Sequence, residues 1–168
     1  MKKPIILAAM ATALFSASAF AQNEGEEVFD ITQSSEWYNL QQAALVSRQA
    51  SDGWAILDGG VRFKRIGGDG SGPAPVVRDT VTVHYTGRLT NGEIFDSSEE
   101  RGQPATFPLR QLIPAWQVAI PFMGVGDRIE IAVPSDMAYG PRGSGPIPPA
   151  ATLIFEIELI DILVPPGG

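Results

Sequence analysis

The chain has 168 residues, no cysteine, one histidine and a formal charge of −7 at pH 7, from 12 basic and 19 acidic side chains. Lack of cysteine excludes disulfides, thiol catalysis and cysteine metal sites, and one histidine with scattered carboxylates makes no metal-ligand set. No run of Lys and Arg offers the positive footprint that a nucleic acid requires, so nucleic acid is discounted as a partner.

Residues 1–21, MKKPIILAAMATALFSASAFA, set two lysines before an apolar run and small residues at Ala19 and Ala21. That is the layout of an export signal peptide cleaved before Gln22. An uncleaved anchor is the other reading of the apolar run, but the A-x-A site followed by QNEGEE favours cleavage. The expectation is a periplasmic or secreted mature chain with no membrane segment, its stability resting on its core alone.

Residues 22–52 read as an N-terminal extension with one helix over 34–50. Ser34 or Ser35 can cap it, and Glu36 suits its positive end. Trp37, Leu40, Ala44 and Leu45 fall on one face. That face is thin, so the helix must lean on the main domain, on a second copy or on a partner.

Residues 53–168 form the main domain, and there the pattern turns to strands. Residues 54–57 and 61–66 flank Asp-Gly-Gly, a hairpin signal. Residues 79–89 alternate, with Val81, Val83 and Tyr85 on one face and Thr80, Thr82 and His84 on the other. Asn91-Gly92 then marks a tight hairpin, from which residues 93–98 return. Residues 105–109 are another short strand. Residues 113–120, IPAWQVAI, are the only helix-like segment of this half, with Pro114 suited to a first turn and Pro121 ending the helix after about two turns. The last two strands point Ile129, Ile131 and Val133, then Leu153, Phe155, Ile157 and Leu159, inward. The fold expected is α+β: an antiparallel sheet of five to six strands curled around one short helix, which alone can cover the apolar face.

Chemistry is conspicuous by what is missing. His84, Asp96 and Ser97 are the only material for a Ser-His-acid arrangement, and there is no G-x-S-x-G elbow. No glycine-rich loop opens a helix to hold phosphate. Glu156 and Glu158 read as a solvated strand face. What remains is aromatic: Tyr85, Phe95, Phe107, Trp116, Tyr139 and Phe155 lie on different elements, with Asp96 beside Phe95. Tyr139 opens AYGPRGSGPIPPA, a stretch too rich in Gly and Pro for helix or interior strand. Apolar walls with a few polar groups are what a ligand pocket needs.

The blocks HYTGRLTNGEIFDSS, RGQPATFPL, LIPAWQ and MAYGPRGSGPIPPAATLIFEIEL, in that order, resemble the FKBP-type peptidyl-prolyl cis-trans isomerases. The likeness runs from about Trp54 to Ile162, and the exported form with an N-terminal helix is similar to the bacterial periplasmic branch. The resemblance implies a pocket for proline. Trp116 would be its floor, Tyr85, Phe95, Phe155, Leu112 and Ile113 its walls, and Asp96 the polar group, held by Arg101. Tyr139 would donate to a substrate carbonyl, and Ile147 would lie on the rim. Ala105 stands where some members carry an aromatic, whose space Phe107 can fill. Pro146 replaces a branched rim residue, which bears on substrate preference.

The activity implied is isomerisation of X-Pro bonds in folding proteins, with no cofactor, macrolides as possible ligands, and a monomer. A non-catalytic module or holdase that grips apolar or proline-containing segments is the rival expectation.

Overall fold

The computed structural model describes residues 34–163; the expected signal peptide, and the extension up to residue 33, lie outside them. The first element is helix α1 (Ser35–Val46), where Ser34 takes the N-cap position and accepts from the Trp37 amide at 3.0 Å. Strands β1 (Ala55–Ile56) and β2 (Arg62–Gly67) follow. Next come the long β3 (Thr80–Leu89), β4 (Ile94–Ser97) and β5 (Ala105–Pro108). Helix α2 (Pro114–Ala119) precedes β6 (Arg128–Val133) and β7 (Leu153–Leu163).

All pairings are antiparallel, in the order β1-β2-β6-β7-β3-β4, and β5 also pairs with β3. One edge of β3 takes β7 along its whole length. The other edge is shared, its first half by β5 and its second by β4. The described residues thus hold seven strands where the sequence suggests five to six. Segments 54–57 and 105–109 both join the sheet, the first as the two-residue β1 at one end and the second as β5 on the edge of β3 that it shares with β4.

Alternation along the strands sorts the two faces as expected. Val81, Val83, Ile129, Ile131, Val133, Leu153, Ile157 and Leu159 are fully buried, and Phe155 nearly so. Removing each such side chain from water contributes about 1.5–3 kcal/mol before conformational entropy is set against it. Helix α2 lies against this face, with Ala115, Trp116 and Ala119 buried. Pro114 opens it, and Ile120–Phe122 tightens into a 3₁₀ turn that contains Pro121. A proline there lacks the donor that another α-helical turn would require. On the opposite face Glu156 and Glu158 are not merely solvated. Arg128 reaches Glu156 at 2.5 Å, Glu99 at 2.9 Å and Glu158 at 3.6 Å. Such half-exposed pairs contribute at most about 1 kcal/mol each.

Helix α1 leans on the main domain, but its inward face differs from the expected one. Leu45 is buried and Trp37 and Ala44 partly so, whereas Leu40 is 53% exposed and the polar Gln41 is only 2% exposed. The helix also ends at Val46 rather than 50. Arg48 turns back to cap Ala44 O and pairs with Glu130 at 3.0 Å. Residues 50–52 form a 3₁₀ turn closed by Gly53 in the left-handed region (φ 82°).

Candidate functional site

The site sits where α2 meets the inner face of β3 and β7. Trp116 is 4% exposed and meets two rings edge-on: Tyr85 of β3 (centroids 5.2 Å, 80°) and Phe155 of β7 (5.5 Å, 87°). Phe155 in turn meets Phe95 of β4 (5.6 Å, 90°), and Tyr85 meets Phe107 of β5 (6.3 Å). The three T-shaped contacts, those of Trp116 with Tyr85 and Phe155 and of Phe155 with Phe95, add about 0.5–1.5 kcal/mol each beyond burial. They also fix the rings relative to one another, so the walls do not close over the space between them.

Two backbone features bring these rings together. Between β3 and β4 the register moves from Gly87↔Asp96 to Arg88↔Ile94, which leaves Phe95 as an extra residue on β4. A bulge of this kind re-aims side chains, and here successive residues, Phe95 and Asp96, both serve the site instead of alternating across the sheet. Gly87 completes the arrangement. A Cβ there would stand 2.5 Å from the Phe95 ring and 2.9 Å from the Phe155 ring, so the contact between those rings depends on its absence.

Polar chemistry is confined to one wall. The Tyr85 hydroxyl donates to Asp96 Oδ2 at 2.5 Å, Arg101 Nη1 bonds Asp96 Oδ1, and Arg101 Nη2 donates to the Tyr85 hydroxyl at 3.0 Å. Burial works against the Asp96 carboxylate, but the hydrogen bonds from Tyr85 and Arg101 outweigh it and hold its pKa below 3.8. Burial, and next the bond to Asp96, push the Tyr85 hydroxyl above 10.0, so it stays protonated and a donor. The Tyr139 hydroxyl is likewise raised, by burial and then by the nearby Asp96 charge. Tyr139 is 41% exposed, and among the described residues its hydroxyl has no hydrogen-bond partner.

Tyr85, Asp96, Phe107, Leu112, Ile113, Trp116, Tyr139 and Phe155 line one cavity of about 240 Å³. Phe95 and Ile147 do not reach it. They line an adjoining hollow of about 220 Å³ with Pro146, and Asp96 and Tyr139 are common to both spaces. Arg101 lines neither and acts only through Asp96 and Tyr85. Eleven candidates therefore fall into eight around the cavity, two on the rim and one supporting cation. A Ser-His-acid site does not form. His84 Nδ1 lies 3.0 Å from Ser98 Oγ, Ser97 bonds Thr86 at 2.9 Å, and Asp96 is turned to Tyr85 and Arg101. Sequence reasoning missed Gly87, signalled by a glycine inside a strand, and Gln41, which nothing in a helical pattern of apolar residues would single out.

A sheet curled on a short helix thus holds a small cavity walled mostly by aromatic and aliphatic side chains, with Asp96 as its one carboxylate. Residues 72–160 match the family model described as FKBP-type peptidyl-prolyl cis-trans isomerase. The chain is 48% identical over 120 residues to the FKBP-type 22 kDa peptidyl-prolyl cis-trans isomerase of Escherichia coli, a match covering 71% of this chain and 58% of that one. It is 44% identical over 111 residues to FK506-binding protein 1 of Saccharomyces cerevisiae, covering 64% of this chain and 96% of the relative. Among solved structures, a peptidyl-prolyl cis-trans isomerase from Pseudomonas syringae pv. tomato superposes with a TM-score of 0.69 at 35% identity, covering 75% of this chain and 92% of that one. The chain belongs to the FKBP-type peptidyl-prolyl cis-trans isomerase family. It spans about half the length of the bacterial relatives that it matches.

Proposed function

We propose that the chain is a peptidyl-prolyl cis-trans isomerase acting on X-Pro bonds of exported proteins as they fold. The observation that carries this reading is the Trp116-floored cavity. At about 240 Å³ it is smaller than the roughly 300–1,000 Å³ clefts that take drug-sized ligands, and it suits a pyrrolidine ring.

The reaction asks for little conventional machinery. Resonance sets the barrier to rotation about the peptide bond at about 18–20 kcal/mol, and an X-Pro bond turns over unaided in tens to hundreds of seconds. No covalent bond is made or broken. Midway through rotation the amide has lost conjugation, and its carbonyl oxygen carries less negative charge than in the planar state. A water-poor aromatic cavity therefore disfavours the planar dipole more than the twisted one, and each 1.4 kcal/mol of that difference gives about a tenfold rate. In this reading Trp116 seats the ring. Tyr85 and Phe155 hold the indole at right angles, and the Asp96–Arg101 pair fixes Tyr85. Tyr139 donates its free hydroxyl to a carbonyl flanking the proline and so favours the bent peptide that the twisted bond requires. Leu112, Ile113 and Phe107 complete the walls, while Ile147 and Phe95 contact the residues beside proline.

Export through the residue 1–21 signal, a monomeric mature chain and occupation of the same cavity by a macrolide belong to this proposal. The macrolide finds support in the name of the FK506-binding relative, and export in the layout of the first 21 residues. The test is a protease-coupled isomerisation assay on short X-Pro peptides. Acceleration that a macrolide abolishes is the expected result. Folded protein that binds the peptides without accelerating them would turn the reading to the holdase.

A further inference from the structure

Gln41 is the most deeply buried polar residue of α1, at 2% exposure, and its bonds converge on one place. Its Oε1 accepts from the Thr152 amide at 2.8 Å, its own carbonyl accepts from Thr152 Oγ1 at 3.1 Å, and its Nε2 donates to Thr90 Oγ1 at 3.2 Å. Leu89 and Leu153 are the last paired residues of β3 and β7 at that end. Thr90 and Thr152 are the next residues out, so the Gln41 side chain continues the ladder where the strands part.

Thr152 is also the anchor of the rim, because the loop carrying Tyr139 and Ile147 runs from the end of β6 to the start of β7. Its two limbs are joined by a bridge between Ser144 and Ile147 and, closer to the sheet, by Ala150 N donating to Gly140 O at 3.1 Å. Ala150 has φ 55°, the one non-glycine residue with positive φ among those described. A residue with a Cβ holds that conformation only where its surroundings impose it. Three hydrogen bonds flank it here: its own amide to Gly140, next to Tyr139, and, two residues further on, the amide and hydroxyl of Thr152 to Gln41.

We propose that Gln41, on the N-terminal helix and outside the pocket, is a positioning residue that sets the Tyr139 rim through Thr152 and the strained Ala150. The proposal rests on the isomerase reading for its kinetic consequence but not for its structural one. Gln41→Ala removes the acceptor of the Thr152 amide, loosens the rim and leaves the Trp116 floor in place. On a tetrapeptide X-Pro substrate, KM should rise about fivefold, the scale of one lost hydrogen bond, with kcat kept within about twofold. A role confined to stability would lower the active fraction, hence kcat, and leave KM alone. Thr90→Val, which breaks only the bond to the β3–β4 hairpin, should leave both unchanged.

Amide hydrogen exchange supplies a readout independent of turnover. In the wild-type full chain, Thr152 and Ala150 should open together with equal protection. In Gln41→Ala both should exchange at least tenfold faster while the Trp116 amide does not. Unchanged KM in folded Gln41→Ala, or wild-type Ala150 exchanging freely while Thr152 stays protected, overturns the proposal. If Gln41→Ala does not fold, that wild-type comparison decides. A wild-type chain without isomerase activity would remove the functional reading, and the exchange data would still decide the coupling.

Discussion

The floor of the pocket and its rim are built on different principles. Trp116, Tyr85 and Phe155 are buried at 4%, 6% and 3%, interlocked edge to face, and part of the core that folds the domain. Tyr139 is 41% exposed and sits on a loop held by a handful of backbone bonds. A change in the floor therefore alters folding and ligand seating together, because one set of contacts serves both. A change in the rim can alter recognition alone.

The largest effect should come from Trp116→Ala. It removes the floor and two ring contacts, and large-to-small aromatic changes in cores cost about 3–5 kcal/mol. Urea unfolding should show that loss, and activity per folded molecule should fall by well over tenfold. A variant with wild-type stability would break the identity of floor and core.

Gly87→Ala should come next. The added methyl meets the Phe95 and Phe155 rings at less than contact distance, and overpacking of this sort costs about 1–3 kcal/mol. Because Phe95 faces the rim hollow while Phe155 faces the floor cavity, stability and KM should worsen in the same variant. A crystal structure with the two rings still 5.6 Å apart would contradict the account of why a glycine is there.

These two positions also show what the sequence could and could not reveal. Trp116, Tyr85 and Phe155 were readable because strand parity and a proline-bounded helix place them on one face, and short-range rules govern both. Phe95 and Asp96 stand out in the sequence as an aromatic with a carboxylate beside it, while the bulge that lets neighbours in sequence serve one site is a property of two strands in register. Leu40 faces outward, contrary to the expectation, because a face of four residues does not fix the rotation of a helix of about three turns. Gln41 decides it through bonds to residues 49 and 111 positions away. Residues 105–109 are legible as a strand, but that β5 and β4 share one edge of β3 is not, since edge sharing leaves no trace in the pattern of a four-residue strand.

Tyr139→Phe tests the other side of the comparison. Removing one exposed hydroxyl should leave stability within about 0.5 kcal/mol. If the hydroxyl donates to the bound peptide, kcat/KM should fall about two- to tenfold, the measure of one hydrogen bond of about 0.5–1.5 kcal/mol. A matching loss of stability in the denaturation curve would mean that rim and core are not separable after all.

The smallest expected effect is that of pH, and its smallness is informative. Asp96 has its folded pKa depressed below 3.8, so the stabilisation that it lends to the Tyr85–Arg101 wall is complete above that value and is lost only as pH falls through the lower, folded one. Tyr85 and Tyr139 have folded values raised above 10.0, so whatever their neutral hydroxyls contribute is complete below pH 10 and is lost only as pH climbs through the raised values. Between those limits none of the three polar groups of the cavity changes charge, and rotation of an amide transfers no proton. The kcat/KM profile, measured without a coupling protease by NMR exchange between cis and trans peptide, should be flat from about pH 5 to 9. A bell-shaped profile in that interval would call for a titrating acid or base in the site, and so for chemistry that the Tyr85–Asp96–Arg101 wall does not supply.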